Sequence, residues 1–139
     1  MTLLWGKEKR KIFAGKKETM TATREINQNL LKLVLPSELF DYFEITDLKV
    51  EDQSVHVFFD ERDVKPTAYL GEKLTSKGFH QQVTIQDFPL RDKAVFLHVR
   101  RRRWLVESTK EVVSRDWDSV AEGTRYTKSF AAFLKGLLG

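Results

Sequence analysis

The stretch TIQDFPLRDKAVFLHVRRRRW, Thr84 to Trp104, carries two signals at once: a period-two apolar alternation and a run of four arginines. Val83 to Phe88 is rich in β-formers, Pro89-Leu90-Arg91-Asp92 has turn chemistry, and Lys93 to Arg103 then continues as a strand. Along that strand Val95, Leu97 and Val99 share one face, with Phe96 and His98 on the other. The spacing predicts an antiparallel hairpin whose second strand ends in charge. Alternation carries on through the arginines, so Arg100 and Arg102 face one way and Arg101 and Arg103 the other. Four charges cannot be buried on both faces of a core sheet without partners. The strand must leave the body of the domain there, or lie at an exposed edge.

Outward from this hairpin the same period recurs. Glu44 to Val50 alternates Ile45, Asp47, Lys49 against Thr46, Leu48, Val50, and Ser54 to Asp60 carries Val55, Val57 and Phe59. Glu51-Asp52-Gln53 reads as the turn of a first antiparallel hairpin. Before it, Ile26, Leu30, Leu33 and Val34 recur at helical spacing within Thr23–Val34. Pro36 stops that helix, and Ser37 is placed to cap a short second one through Phe40 or Tyr42. Residues 61–80, with Pro66, Gly71 and Gly78, read as loop. A short third strand is expected at Glu111–Ser114, and Ser119-Val-Ala-Glu122 fits a capping box. Thr124 can cap a final helix in which Phe130, Phe133, Leu134 and Leu137 form an apolar stripe. The fold class is α+β: N-terminal helices, antiparallel β-hairpins and a C-terminal helix. Residues 1–20 read as a mobile basic tail and 21–139 as a single domain.

The chain has 139 residues, 41% hydrophobic and 32% charged, which suits one globular domain with a real core. It has no cysteine, which excludes disulfides and thiolate zinc sites. The N-terminus lacks the apolar core of a signal peptide, and no segment approaches the roughly 20 apolar residues of a membrane span. These absences point to a cytoplasmic protein with no membrane partner. The net charge of +4 is unevenly spread: residues 1–18 carry +4, residues 19–63 carry −6 and residues 64–139 carry +6. Such asymmetry suggests a polyanion partner for the ends.

Arginine offers a planar fork for phosphates and guanine edges, and a β-ribbon carrying arginines is one route into a DNA groove. Three readings of the run stand open: a nucleic-acid contact, a docking patch for an acidic protein, and a charged edge that prevents sheet aggregation. Trp104 either stacks on a sugar or base, or belongs to the core. The candidate DNA contacts are Arg100, Arg101, Arg102, Arg103 and Trp104, extended by Arg91, Lys93, Arg115, Arg125 and Lys128. Chemistry is otherwise sparse. Asp87, Asp92, Asp116 and Asp118 have no clear metal-binding pattern, and His56, His80 and His98 stand isolated, His98 as a sheet-surface residue. No phosphate-binding or dinucleotide glycine motif occurs. No catalytic site, metal, cofactor or small-molecule substrate is expected.

The segment Lys77 to Lys135 resembles the N-terminal region of ISAon-type insertion-sequence transposases, with Leu30 to Pro66 resembling the start of the same module. The stretches that carry the likeness are PSELFDYFEI, SKGFH, TIQDFPLRDKAVFLHVRRRRW and VSRDWD. In the wider group this region is a zinc-ribbon hairpin, then a DNA-binding helical segment and an RNase H-like catalytic domain. The zinc-binding cysteines are absent here. The resemblance therefore implies a zinc-less ribbon held by apolar packing, with Phe79, Phe88, Phe96, Trp104 and Trp117 as candidates. It further implies a non-catalytic module that binds double-stranded DNA at transposon ends, with the catalytic transposase chain encoded separately. An alternative is a protein-interaction subunit that docks that chain through its acidic first half or the stripe of the final helix.

Overall fold

The computed structural model describes residues 25, 28–123 and 127–139, with 121–123 described by backbone alone. The tail of residues 1–20, Ile26, Thr124, Arg125 and the Glu122 side chain lie outside the described residues. One unit, Met1–Leu35, contains helix α1 at residues 28–34, and a second compact unit runs from Pro36 to Gly139. In the second, α2 (Leu39–Tyr42), β1 (Phe43–Val50) and β2 (Ser54–Glu61) precede a 3-10 turn at Thr67–Tyr69. There follow β3 (Leu74–Phe79), β4 (Val83–Leu90), β5 (Lys93–Arg100), β6 (Arg102–Val106) and β7 (Val112–Val113). Helices α3 (Trp117–Gly123) and α4 (Lys128–Leu138) close the chain, and the fold is α+β.

Both expected hairpins form, β1 with β2 and β4 with β5, and they join into one sheet of order β1-β2-β5-β4. The joining pair β2–β5 is parallel. These are the strands with the cleanest alternation, and Val55, Val57, Phe59, Val95, Leu97 and Val99 are all buried on one face. Each such side chain contributes ~1.5–3 kcal/mol over its exposed state. The strict alternation expected of β1 is corrected by a bulge between Ile45 and Asp47. The extra residue lets Ile45 and Leu48 both oppose inward-facing partners, Phe59 and Val57. In the second hairpin β4 runs through Pro89 to Leu90, with a bulge after Asp87 that an edge strand tolerates. The turn itself is Arg91-Asp92, both left-handed at φ 50 and 66, a geometry that matches strand twist.

Two further expectations are corrected. Residues 61–80 are not all loop: β3 pairs antiparallel with β6, and β7 completes a second sheet of order β3-β6-β7. Gly78, one of the three residues that made this segment read as loop, takes φ +84 inside a β3 bulge. Nor is Lys93–Arg103 one strand. It breaks at Arg101, where the chain passes from the first sheet to the second.

The stripe of α4 is buried at Phe130, Phe133, Leu134 and Leu137, and the helix packs on β4. Contact is so close that a Cβ on Gly136 would meet Ile85 Cγ2 at 2.9 Å. Phe43 stacks on Trp117 with centroids 5.3 Å apart and meets Phe133 edge-on at 5.8 Å. The stripe is thus consumed by the fold and is no docking surface. Of the five apolar candidates Trp104 and Trp117 are buried, whereas Phe88 is 79% exposed. The caps also differ from expectation. Ser37 makes no helix-capping bond and instead donates to Glu38 Oε1 at 2.9 Å. Thr127 caps α4 by accepting from the Phe130 amide, while its own hydroxyl donates to Glu38 Oε2 at 2.7 Å. At α3 it is Asp116, not Ser119, that caps, accepting from the Ser119 amide at 3.1 Å.

Candidate nucleic-acid interface

The parallel register sets Asp60 beside Arg100. Arg100 Nε and Nη2 donate to the two carboxylate oxygens of Asp60 at 2.6 Å each, a bidentate pair. Arg102 Nε donates to the Glu61 carbonyl at 3.1 Å and its Nη1 to Ser76 Oγ at 2.8 Å. Both guanidiniums lie over the Phe79 ring, at 4.2 and 4.8 Å from its centroid, so the expected shared side of Arg100 and Arg102 is observed.

Arg115 is committed as well. Its Nε reaches Glu61 Oε2 at 3.4 Å, its Nη2 donates to the Val64 carbonyl at 2.8 Å, and it lies 5.5 Å from the Tyr42 ring centroid. Glu61 is fully buried and also accepts from the Arg102 amide at 3.2 Å. Burial pushes its carboxyl above the usual range, against the pull of the Arg102 amide and Arg115.

Trp104 is 1% exposed, which corrects its candidacy as a base-stacking residue: its ring is core. Lys93 Nζ donates to the Glu51 and Asp52 carbonyls, the latter at 2.9 Å, and so fastens the β1–β2 turn. Arg91 is exposed at the β4–β5 turn, and Lys128 is exposed in the first turn of α4.

Arg101 and Arg103 differ from their neighbours. Both are half-buried, and neither has a hydrogen bond or ion pair from its guanidinium among the described residues. The Arg101 carbonyl accepts from the His80 amide at 2.8 Å, and its Nε is buried without a partner. In β3 the register jumps from Ser76–Trp104 to Phe79–Arg102, which places exposed Lys77 in the bulge facing Arg103. His80 Nε2 hydrogen-bonds Ser114 Oγ at 2.5 Å. Burial, then Arg101 and Arg103, hold His80 below the ordinary histidine range, so its ring is neutral near pH 7. The outcome is a pair of arginines, Arg101 and Arg103, beside a neutral His80–Ser114 pair. Sequence reasoning missed His80 and Ser114 because they reach the arginines only through β3 and β7.

His56 and His98 are not isolated either. On the face of the first sheet opposite its buried residues, the rings of Phe96, His56, His98 and Phe58 stack in sequence, with centroids 5.2, 5.1 and 4.6 Å apart. Gln82 Nε2 donates to His98 Nδ1, which leaves His98 Nε2–H to donate to His56 Nδ1 at 2.8 Å. His56 Nε2–H then donates to Ser54 Oγ at 3.1 Å, and Ser54 to Glu51 Oε2 at 3.3 Å. Burial, His56 and Lys49 together hold His98 below the ordinary 6.5. Two histidines whose folded pKa values are depressed bind protons more readily when unfolded. Stability is therefore intact above 6.5 and falls as pH drops below it. The urea midpoint is expected to fall between about pH 7 and about pH 5.5, and to fall less in His98→Gln. A midpoint that ignores pH in this window, or an equal fall in the variant, would contradict the assignment.

Among the described residues no group of three or more His, Asp or Glu side chains is placed to hold a metal ion. Among them, too, no helix is long and apolar enough to cross a membrane. Comparison of the chain with protein-family models, curated proteins and solved structures finds no match.

Proposed function

We propose that this chain is a non-catalytic DNA-binding module that holds the sugar-phosphate backbone of duplex DNA through Arg101 and Arg103. The observation that carries the reading is the division of the arginine run. Arg100 and Arg102 are spent on Asp60, Glu61 and Ser76, whereas Arg101 and Arg103 keep their donors beside His80. A half-buried arginine with no carboxylate partner is a preorganised phosphate ligand: its stem is fixed by the sheet and its charge is uncompensated. The neutral His80–Ser114 pair beside it adds hydrogen-bonding groups without opposing charge.

The resemblance to ISAon-type transposases gives the role: holding the ends of a transposon for a catalytic chain encoded separately. The docking alternative has lost its main support, since the α4 stripe is covered. A charge-assisted hydrogen bond contributes about 1.5–3 kcal/mol, or roughly tenfold or more in affinity. Fluorescence anisotropy of a labelled duplex at low salt is expected to show binding that weakens by at least about tenfold in Arg101→Gln/Arg103→Gln. Equal binding by both proteins would remove these arginines from the interface.

A further inference from the structure

A cavity of ≈ 560 Å³ opens between the 3-10 turn and the start of α3, lined among others by Tyr42, Thr67, Tyr69, Ser114, Arg115 and Asp116. Small-ligand sites span roughly 300–1,000 Å³, so the space suits one compact group. Its wall is chemically mixed. Arg115 uses Nε and Nη2 on Glu61 and Val64, while its Nη1 has no hydrogen bond among the described residues. Asp116 gives Oδ1 to the Ser119 amide and keeps Oδ2. With Asp116 in the wall and Glu61 behind Arg115, a phosphate has no net attraction to this space. A flat, neutral heterocycle fits better: the Tyr69 ring for one face, since Tyr42 already stacks on Phe130, a guanidinium edge for its acceptors and a carboxylate for its N–H donors.

Position links this cavity to the arginine pair. Ser114 lines it and shares its hydroxyl with His80, the histidine whose pKa Arg101 and Arg103 depress. The β6–β7 register pairs Leu105 with Val112 and Trp104 with Val113, so one step further sets Ser114 beside Arg103. We infer that the cavity receives one unpaired nucleobase of a DNA strand whose flanking phosphate lies on Arg103, an inference that rests on the DNA-binding reading above. Extruding a base is costly in an intact duplex and cheap where the base has no partner. The expected signature is thus a preference for DNA with an unpaired base, supported by stacking on an aromatic ring.

The test titrates the full chain with three labelled duplexes of one sequence: fully paired, with a single bulged base, and with an abasic residue at the bulge. The bulged duplex is expected to bind about tenfold tighter than the other two. Ala68 is exposed and Tyr69 half-buried, so Ala68→Trp, which crowds the cavity, and Tyr69→Ala, which removes a wall, should leave the fold intact. Both variants are expected to lose the preference while keeping the affinity for paired duplex. Equal affinity of the chain for bulged, abasic and paired duplexes, with Arg101→Gln/Arg103→Gln still weakening all of them, would overturn the cavity inference and leave the DNA-binding reading in place. No binding to any of the duplexes would overturn both.

Discussion

Arg115→Ala is expected to lower the free energy of unfolding by about 3–5 kcal/mol, a large part of the 5–15 kcal/mol typical of a domain. Arg115 is 11% exposed in its side chain, at the wall of the cavity, and Glu61 only 1%, so the Glu61 carboxylate has no water to fall back on. Removing the guanidinium leaves a buried carboxylate with the Arg102 amide as its main remaining support. It also frees the Val64 carbonyl and opens space against Tyr42 and Trp117. The sign of the pH response follows from the Glu61 carboxyl, which burial already pushes above 4.5. Without Arg115 it rises further, so the folded variant binds a proton that the unfolded chain does not. Relative to the unmodified chain, the variant should regain stability as pH falls from 7 toward 4.5. Urea denaturation at both ends of this window measures it. A cost below about 1 kcal/mol at pH 7, with no recovery in acid, would mean that Glu61 is not held as described.

Trp104→Ala should be nearly as damaging, at about 3–5 kcal/mol, through the cavity left by the largest fully buried side chain. Trp104 stands in the middle strand of the second sheet, between Ser76 of β3 and Val113 of β7, so its loss loosens both neighbours. The gentler Trp104→Phe keeps most of the apolar burial. It is expected to fold and to bind duplex DNA as the unmodified chain does, because a residue 1% exposed cannot touch a base. A stable Trp104→Ala protein with selectively impaired DNA binding would return this tryptophan to the interface.

What the sequence disclosed follows from the range of the physics involved. Val95, Leu97 and Val99 obey a local period, and so do Phe130, Phe133, Leu134 and Leu137; both patterns are legible because burial on one face is a property of a single element. The opposite facings of the arginines were legible for the same reason, and Arg100 and Arg102 do share Phe79. Their partners were not. Asp60 meets Arg100 across a parallel pairing of strands 40 residues apart, and no local pattern specifies which strands pair. Strand β3 was hidden by its own Gly78, since a glycine that permits a bulge looks in sequence like a glycine that ends a strand. With β3 hidden, His80 could not be placed beside Arg103 and Ser114. The arginine run attracts the eye as one motif, yet the fold spends half of it on internal carboxylates and carbonyls.

The salt dependence of duplex binding tests the division of the arginine run most directly. Each phosphate neutralised contributes about 0.9 to the slope of log affinity against log salt. If Arg101 and Arg103 sit on phosphates, Arg101→Gln/Arg103→Gln makes that slope shallower by about 1.8. Lys93→Gln, which removes a charge already engaged with the β1–β2 turn, leaves the slope unchanged. An unaltered slope in the double variant, or an equal flattening per charge in Lys93→Gln, would show that the DNA responds to overall charge and that no arginine face exists.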